Sequence, residues 1–198
     1  MRDVVVIGDG PAGLSAGLFL SKNGLPPLII GDNDSGLHRG YLYNYPGVTQ
    51  LDGTEFIETA RSQCRYFGTD FECGAVDTVA DSGSCYSVTT KADDVFQTNY
   101  IIVCGASTEL FSDSGLEVES NEADKLEVDK HYETNVEGIF AVGKSTTSDK
   151  DQVAISVGEG AHAALEVLER ENDSAVYDYD SRAITHLTET GPSDARWL

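Results

Sequence analysis

The sequence predicts an α/β fold in which a central parallel sheet carries helices on one face and a three-stranded antiparallel meander on the other. Three observations support this prediction. Short apolar runs, "DVVVIG", "PLIIGD", "YIIVCG" and "GIFAVG", are typical of strands that are buried on both faces of a parallel sheet. Segments with apolar residues at helical spacing lie between or after these runs. Turn signals at "DSGS" and "KADD" separate further strand-like segments and predict the meander.

The N-terminal part of the chain predicts a βαβ unit. "DVVVIG" forms the first strand. "PAGLSAGLFLSKNG" forms a helix with Pro11 in its first turn, where proline is favoured, and with Gly24 as its stop. "PLIIGD" then forms the second strand.

The remaining segments predict a long loop over 32–52, a helix in "GTEFIETARSQCRYFG" that ends at Gly68, and short strands within 70–104. Residues 107–137 are polar and irregular. A short strand, "GIFAVG", and a last helix in "DQVAISVGEGAHAALEVLERE" follow. We expect one domain over 1–170 and an acidic tail over 171–198.

The charge of the chain restricts its partners. The 198 residues include 34 Asp and Glu but only 13 Lys and Arg, which gives a formal net charge of -21. Such a surface repels nucleic acid and anionic membranes, so we expect neither as a partner. The acids are spread along the chain rather than gathered in blocks, which favours a salt-adapted, halophilic protein over one that recruits a basic partner.

The sequence shows no signal-peptide pattern and no apolar run long enough to span a membrane, so we expect a cytoplasmic protein. No metal-ligand spacing is evident, and we expect no metal site. The cysteines form no C-x-x-C and are expected to be free thiols; a contact between the second and third across the meander is an alternative. They are Cys64, Cys73, Cys85 and Cys104.

A glycine-rich turn follows the first predicted strand and opens the first predicted helix. Its sequence, "GDGPAG", fits G-x-G-x-x-G, the fingerprint of a Rossmann-like dinucleotide site. Gly8 allows the sharp turn, Gly10 lets the backbone approach a pyrophosphate, and Gly13 lets the helix pack closely on the strand. Asp32 stands 24 residues after Gly8, where an acid commonly binds a ribose hydroxyl. The alternative is a glycine-rich turn without a ligand.

A second glycine pattern suggests a different chemistry. "GIFAVGKS", from Gly138 to Ser145, fits G-x-x-x-x-G-K-[ST], the phosphate-binding loop of many ATPases. However, "IFAV" between its glycines predicts a buried strand, and a polar stretch separates Lys144 from the next helix. A nucleoside triphosphate hydrolase is one functional hypothesis, and this order of elements disfavours it.

A family resemblance separates the remaining possibilities. "VVVIGDGPAGLSAGLFLSKNGLPPLIIGD", "NYPG", "GTEFIETARSQCRYFGTDF", "IIVCGAS" and "VDKHYETNVEGIFAVGKSTTSDKDQVAISVGEGAHAALEVL" occur in this order. Together they resemble the FAD-binding domain of the thioredoxin reductase family over roughly residues 2–168. The resemblance implies a Rossmann-like FAD-binding domain, FAD as the cofactor, and oxidoreductase chemistry.

The resemblance also implies which residues contact FAD. The glycine-rich turn matches the pyrophosphate segment, and the start of the last helix matches a segment near the flavin ring, where a helix dipole stabilises negative charge on the reduced flavin. Further matches lie beside the ribose, adenine, flavin and ribityl groups. The residues that match are Gly8, Gly10, Pro11, Ala12, Gly13, Asp32, Asn44, Val76, Gly105, Gly143, Gln152 and Val153.

Three positions depart from the family or add to it. Lys144 stands where the family has Asp beside the ribityl chain; it can donate to a hydroxyl or a phosphate. His38 lies in the flavin-side loop, where it either contacts the flavin or is simply an exposed loop residue. Cys104 either approaches the cofactor or is a small buried side chain.

The resemblance is incomplete in one respect. Family members carry an NADPH domain with its own fingerprint and a C-x-x-C, but only 33 residues separate Gly105 from Ile139, and no second strand–GxGxxG–helix unit occurs. "GEG", at Gly158 to Gly160, lies inside a helix pattern. We therefore expect an FAD domain that has no NADPH-dependent disulfide reductase activity of its own.

The resemblance leaves two functional hypotheses. Either the chain receives electrons from a separate protein, such as a ferredoxin or another reductase, or it is a non-catalytic FAD- or ADP-binding module that acts through protein interaction. A homodimer is expected by analogy with the family. The tail carries Tyr177, Tyr179 and Trp197, which either stack on an open face of the flavin or belong to a disordered segment.

Overall fold

A computed structural model describes residues 1–105, 108–112, 114–146 and 150–179. Its helices are α1 (Pro11–Lys22), α2 (Gly53–Tyr66) and α3 (Val153–Asn172). Its strands are β1 (Arg2–Ile7), β2 (Leu28–Gly31), β3 (Tyr41–Leu42), β4 (Leu51–Asp52), β5 (Asp70–Cys73), β6 (Val76–Asp81), β7 (Tyr86–Thr90), β8 (Val95–Cys104) and β9 (Ile139–Val142).

The main sheet has a parallel and an antiparallel part that share β8. Strands β5, β2, β1, β8 and β9 run parallel in that order, and β6, β7 and β8 form the predicted antiparallel meander. The sequence predicted a meander followed by a separate buried strand. In the structure, the last strand of the meander and that buried strand are one continuous strand, β8. Thr98 marks the change, because it pairs with Tyr86 on one side and with Arg2 on the other. No turn residue interrupts the chain there.

Each face of the parallel strands packs against a different layer. Val4 and Val6 of β1 point toward the three helices, whereas Val5 and Ile7 point toward the meander and the segment before β9. This alternation follows from the two-residue period of a strand, and it explains why the strands are apolar without interruption. The predicted fold class is therefore confirmed.

Helices α1 and α3 run side by side and begin at the same edge of the sheet. A Cβ atom on Gly160 of α3 would lie 2.1 Å from the carbonyl oxygen of Ala12, so glycine is needed for this close approach. Near it, Ser15 Oγ donates to the carbonyl oxygen of Val157 at 2.7 Å. Helix α2 begins where Asp52 accepts from the Thr54 N–H at 2.8 Å, and Gly68 (φ 100°) follows its end.

Two segments that the sequence predicted as loops contain local structure. Residues 32–52 hold a 3-10 turn (Gly36–Arg39) and the β3–β4 hairpin. Between Gly105 and Ile139, the described residues form a 3-10 helix (Thr108–Phe111) and isolated bridges, and they include no α-helix. Leu126 anchors this second segment in the core on the meander side of the sheet.

The described part of the tail passes the C-terminal end of α1. Asp178 accepts from Lys22, the last residue of that 12-residue helix, so it lies about 18 Å from the glycine-rich turn. Tyr177 and Tyr179 are exposed there. Neither ring covers the glycine-rich turn of its own chain, and Trp197 lies outside the described residues, so stacking of a tail aromatic on the flavin, from the same chain or a neighbouring one, stays a prediction. No helix in the described ranges is long and apolar enough to cross a membrane.

Candidate functional site

A pocket of about 470 Å³ lies at the carboxyl edge of the parallel strands. Three of the parallel strands, β1, β8 and β9, are each followed by a glycine with positive φ: Gly8 at 106°, Gly105 at 104° and Gly143 at 60°. All three glycines line the pocket. Because they have no side chain and adopt left-handed conformations, the backbone itself forms this wall.

The glycines of the G-x-G-x-x-G turn have different surroundings. A Cβ atom on Gly8 would lie 2.1 Å from the carbonyl oxygen of Cys104, and one on Gly13 would lie 1.9 Å from the carbonyl oxygen of Gly8. Gly10 lines the pocket, and the nearest atom to a Cβ there would be Ser35 Oγ at 3.7 Å. Gly8 and Gly13 are thus required for packing, whereas Gly10 leaves space that a ligand can use.

Two helices present their N-termini to the pocket. Helix α1 starts after Gly10 and α3 starts after Gln152, and no side chain in the described part of the chain caps either start. Pro11 and Val153, the first residues of these helices, both line the pocket. Unpaired N–H groups and the positive ends of two helix dipoles therefore converge there, which favours a negatively charged ligand.

Lys144 is the one cation among the described residues that line the pocket. Its Nζ lies 3.2 Å from Asp151 Oδ2, and both side chains are more than half exposed. Asp151 also lines the pocket, so a carboxylate stands beside Lys144 there. Asp32 and Asp34, in the loop after β2, also line the pocket, and Asp32 Oδ1 accepts from the Asp34 N–H at 3.2 Å.

A buried ion pair joins the glycine-rich turn to α2. Asp9 is 5% exposed and accepts from Arg61 of α2 and, at 3.1 Å, from the Asn33 N–H. A Cβ on Gly31 would lie 2.4 Å from Asp9 Cγ, so Gly31 provides the room for this carboxylate. The sequence analysis missed this pair, although an acid between two fingerprint glycines was its visible signal.

A buried carboxyl lies behind the pocket wall. Glu159 of α3 is 6% exposed, and its Oε2 accepts from the Gly143 N–H at 2.6 Å. Burial raises the pKa of Glu159 above its ordinary value, and the Gly143 N–H opposes that rise only in part.

Cys104 lines the same wall. Burial, together with the nearby Glu159 carboxyl, raises the pKa of the Cys104 thiol far above its ordinary value. The thiol is therefore protonated and a poor nucleophile, which favours the structural interpretation of this residue.

The other cysteines are also separate thiols. Burial raises the pKa of Cys64 to about 12, so this thiol is inert. Cys73 ends β5 at one edge of the sheet, and Cys85 lies at the β6–β7 turn at the other edge. The alternative that these two approach each other is wrong, because β2, β1 and β8 lie between them. The prediction of free thiols is confirmed for all four cysteines.

Ten of the residues that the sequence singled out line the pocket. They are Gly8, Gly10, Pro11, Ala12, Asp32, Cys104, Gly105, Gly143, Lys144 and Val153. The sequence analysis missed seven further described lining residues, most of them in the loop after β2. They are Asp9, Asp34, Ser35, Gly36, Leu37, Asp151 and Ser156.

The other singled-out residues lie outside this lining. Gly13 packs inside the turn. His38 Nδ1 lies 3.2 Å from Thr54 Oγ1, and its buried Nε2 has no partner among the described residues. Asn44 Nδ2 donates to Gln152 Oε1 at 2.7 Å, which joins the loop after β2 to the start of α3. Val76 is 8% exposed and packs in the core between the sheet and the meander.

Curated relatives share part of the chain. A thioredoxin reductase of Helicobacter pylori is 31% identical over 110 residues, which are 52% of this chain and 35% of that protein. A thioredoxin reductase of Rickettsia felis is 28% identical over 176 residues, which are 83% of this chain and 50% of that protein. The matched part of the chain thus spans half the length of these relatives or less.

Solved structures share the fold. A thioredoxin reductase of Lactococcus lactis superposes with a TM-score of 0.79 at 18% identity, covering 87% of this chain and 100% of that one. A ferredoxin-flavin thioredoxin reductase of Clostridium acetobutylicum superposes with a TM-score of 0.72 at 15% identity, covering 87% and 98%. The fold is therefore that of a thioredoxin reductase-like FAD-binding domain.

The family model described as pyridine nucleotide-disulphide oxidoreductase matches residues 43–165. This range includes the meander, the segment before β9, the strand β9 itself and most of α3. Together with the pocket geometry, the match shows that the chain belongs to the pyridine nucleotide-disulphide oxidoreductase family.

Proposed function

We propose that this chain binds FAD and acts as a redox module that receives electrons from a separate protein. The observation that carries the proposal is the convergence of two uncapped helix N-termini and three positive-φ glycines on one pocket. The pyrophosphate of a dinucleotide needs such a wall. Backbone N–H groups bind its negative charge, and glycines let the backbone come close to it.

The residues present fit FAD. The open space at Gly10 and the start of α1 suit the pyrophosphate, and Asp32 suits a ribose hydroxyl. Gly143 and the Lys144–Asp151 pair offer a backbone surface, a donor and an acceptor for a polyhydroxyl chain. When bound, FAD would supply the electron-transfer chemistry.

Other residues of the chain would orient the cofactor. The start of α3 would stabilise negative charge that develops close to it. The Asn44–Gln152 hydrogen bond would hold the adjoining loop, and His38 would keep that loop against α2 through Thr54. In this proposal Val76 serves the adenine end and Gly105 the floor of the pocket.

The electron donor is proposed to be a separate protein. The described residues between Gly105 and Ile139 include no α-helix, so they contain no second βαβ unit for NADPH. One structural neighbour is described as a ferredoxin-flavin thioredoxin reductase, which supports a ferredoxin as a donor compatible with this fold. We further propose a homodimer in a halophilic cytoplasm, as the family resemblance and the net charge of -21 suggest.

A second candidate is a non-catalytic FAD- or ADP-binding module. The observation that favours it is the state of Cys104, the cysteine at the pocket, whose thiol is kept protonated by burial. Among the described residues, the pocket thus offers no protein thiolate to which a cofactor could pass electrons.

Cofactor binding is tested with a variant that fills the open space. Gly10→Val adds a side chain to the pocket lining, and the nearest described protein atom to its Cβ would be Ser35 Oγ at 3.7 Å, so we expect a folded protein whose FAD affinity falls at least about 100-fold, or about 2.7 kcal/mol. Equilibrium dialysis and the visible absorption of the purified full chain measure this. Gly158→Ala is the matched control, since it adds a methyl in open space on α3 outside the pocket. A wild-type chain that stays colourless after incubation with FAD contradicts the proposal.

The donor is tested separately. The FAD-loaded chain is mixed anaerobically with NADPH alone and with a reduced ferredoxin, and flavin absorption is followed. Loss of absorption with ferredoxin only supports the separate donor. Rapid loss with NADPH alone would overturn it, and no loss with either reductant would favour the non-catalytic module.

A further inference from the structure

We propose that His131, His162 and Glu166 form a binding site for a divalent transition-metal ion of the zinc class. His131 lies in the turn that leads to β9, whereas His162 and Glu166 are one turn apart on α3. The site lies on the outer side of α3, and none of its residues lines the pocket. It is independent of the proposed FAD function, and it departs from the expectation of no metal site stated above.

The ligand atoms are already close together. One atom from each residue lies within 4.8 Å of the others. His162 Nε2 is 3.3 Å from Glu166 Oε1, and His131 Nδ1 is 2.5 Å from the same oxygen. Tetrahedral ligands at zinc bond lengths of about 2.0–2.1 Å lie about 3.3 Å apart. The α3 pair already has that spacing, and the His131 contact needs to lengthen by less than 1 Å.

The surrounding contacts hold this geometry. Asp129 Oδ1 accepts from the N–H groups of His131 and Glu133, at 2.8 and 3.1 Å, which fixes the turn that carries the first histidine. The ring of Tyr132 packs edge-on against His162, with centroids 5.2 Å apart. Preorganisation of this kind lowers the cost of assembling a site around an ion.

The nearest described cation on α3 does not oppose an ion. Arg170, one turn after Glu166, makes two hydrogen bonds with Glu133, at 2.6 and 2.5 Å. Its charge is thereby balanced, and the Glu166 carboxylate remains available to a ligand other than Arg170.

The chemistry of the ligands selects the ion. Two imidazole nitrogens and one carboxylate suit zinc, with water in the fourth position, whereas carboxylates alone suit magnesium or calcium. The side chains are 38%, 44% and 21% exposed in sequence order, so an ion and its water can reach them. The ion would join the turn before β9 to α3 and would stabilise the folded chain, since the unfolded chain lacks the assembled site.

The test is zinc binding by the full chain in competition with a chromophoric chelator. High NaCl and excess Mg²⁺ occupy the many oxygen-only sites that a net charge of -21 creates, but they do not satisfy imidazole. We expect one tightly bound zinc per chain. His162→Ala and Glu166→Gln should each weaken it at least about tenfold. His38→Ala is the matched control, because it removes a histidine from a different part of the fold.

Folding of the variants is checked by circular dichroism, and His162→Ala places a strong helix former at an exposed position of α3. A second readout is the melting temperature, which zinc should raise in the wild type but not in His162→Ala. Equal zinc affinity in the wild type and His162→Ala overturns the proposal. So does a wild type that binds no zinc under these conditions.

Discussion

Polar groups are arranged in opposite ways at the two ends of the parallel strands, the amino edge where the strands begin and the carboxyl edge where they end. At the amino edge, Arg2 at the start of β1 pairs with Asp70 at the start of β5, and both side chains are about half exposed. The end of α1 lies at this edge, and the Asn23 side chain donates to the carbonyl oxygen of Phe19. At this edge, the polar groups named above pair within the protein or are exposed to water.

At the carboxyl edge, the same elements leave backbone N–H groups available to a ligand, and they contain a buried ion pair. Helix α1 starts without a side-chain cap among the described residues, and three glycines with positive φ follow the strands. The Asp9–Arg61 pair is buried beneath them. This difference indicates that the polar groups at the amino edge stabilise the fold, whereas the carboxyl edge keeps hydrogen-bond donors and space for a ligand. Each of the following predictions tests this contrast.

The largest effect is expected from Gly13→Ala. The new methyl would lie 1.9 Å from the carbonyl oxygen of Gly8, which belongs to the backbone and cannot move aside. The gain in helix propensity, about 1 kcal/mol, is too small to offset this clash. We expect the free energy of unfolding in urea to fall by about 3 kcal/mol or more. Gly10→Ala is the control and should change it by less than about 1 kcal/mol. Equal effects would show that the two glycines do not differ in role.

Arg61→Ala should have the next largest effect. It leaves the Asp9 carboxylate buried with one hydrogen bond from the protein among the described residues, from Asn33, and we expect a loss of about 3 kcal/mol in urea unfolding. Arg65→Ala is the matched control, because Arg65 also lies over the Phe71 ring, at 5.0 Å, but makes no contact with Asp9.

Arg2→Ala provides the comparison with the amino edge. The loss of its exposed pair should cost less than about 1 kcal/mol. A loss for Arg61→Ala no larger than that for Arg2→Ala would contradict the contrast between the two edges.

The sequence predicted the fold well because local patterns and tertiary packing agree. Uninterrupted apolar runs predicted the strands, and the glycine-rich turn predicted its position between β1 and α1. The missed features depend on distant partners. β8 belongs to both parts of the sheet because Thr98 pairs with β1 and β7, and no local pattern near Thr98 signals that.

The candidate site was predicted in part for the same reason. Residues within motifs, such as Gly10 and Asp32, were found because their spacing carries the information. Arg61, the partner of Asp9, is 52 residues away on a helix, and Asp151 contacts Lys144 from seven residues further along the chain. His131 meets His162 across 31 positions, so neither histidine indicated a site in the sequence.

Lys144→Ala sharpens the comparison at the pocket itself. Its ion pair with Asp151 is exposed, so the free energy of unfolding should change by less than about 0.5 kcal/mol. FAD affinity should fall a few-fold in low salt, because a cation in the pocket lining that attracts the anionic cofactor is lost, and by less in 1 M NaCl, where charges are screened. Dialysis at both salt concentrations measures this. Lys91→Ala, in the exposed β7–β8 turn, should leave affinity unchanged; an equal loss there would assign the effect to net charge.

An effect that depends on pH is expected at Glu159, the carboxyl behind the pocket wall. Burial raises its pKa in the folded state, so the folded chain holds this proton more tightly than the unfolded chain does. By linkage, its contribution to stability is full below the ordinary pKa of 4.5 and is lost as pH rises through the raised value. Glu159→Gln keeps an oxygen that can accept from Gly143 but carries no charge to bury.

We therefore expect Glu159→Gln to match the wild type in acid and to be more stable at pH 8, by about 1 kcal/mol. Urea unfolding from pH 4 to pH 8 measures the difference between the two proteins, in which the other titrating groups cancel. Glu58→Gln changes an exposed carboxylate on α2 and should show no such divergence. If Glu159→Gln were instead less stable at pH 8, the charged form would be favoured by the Gly143 N–H. The carboxyl edge would then hold a stabilising anion of its own, in competition with any anionic ligand.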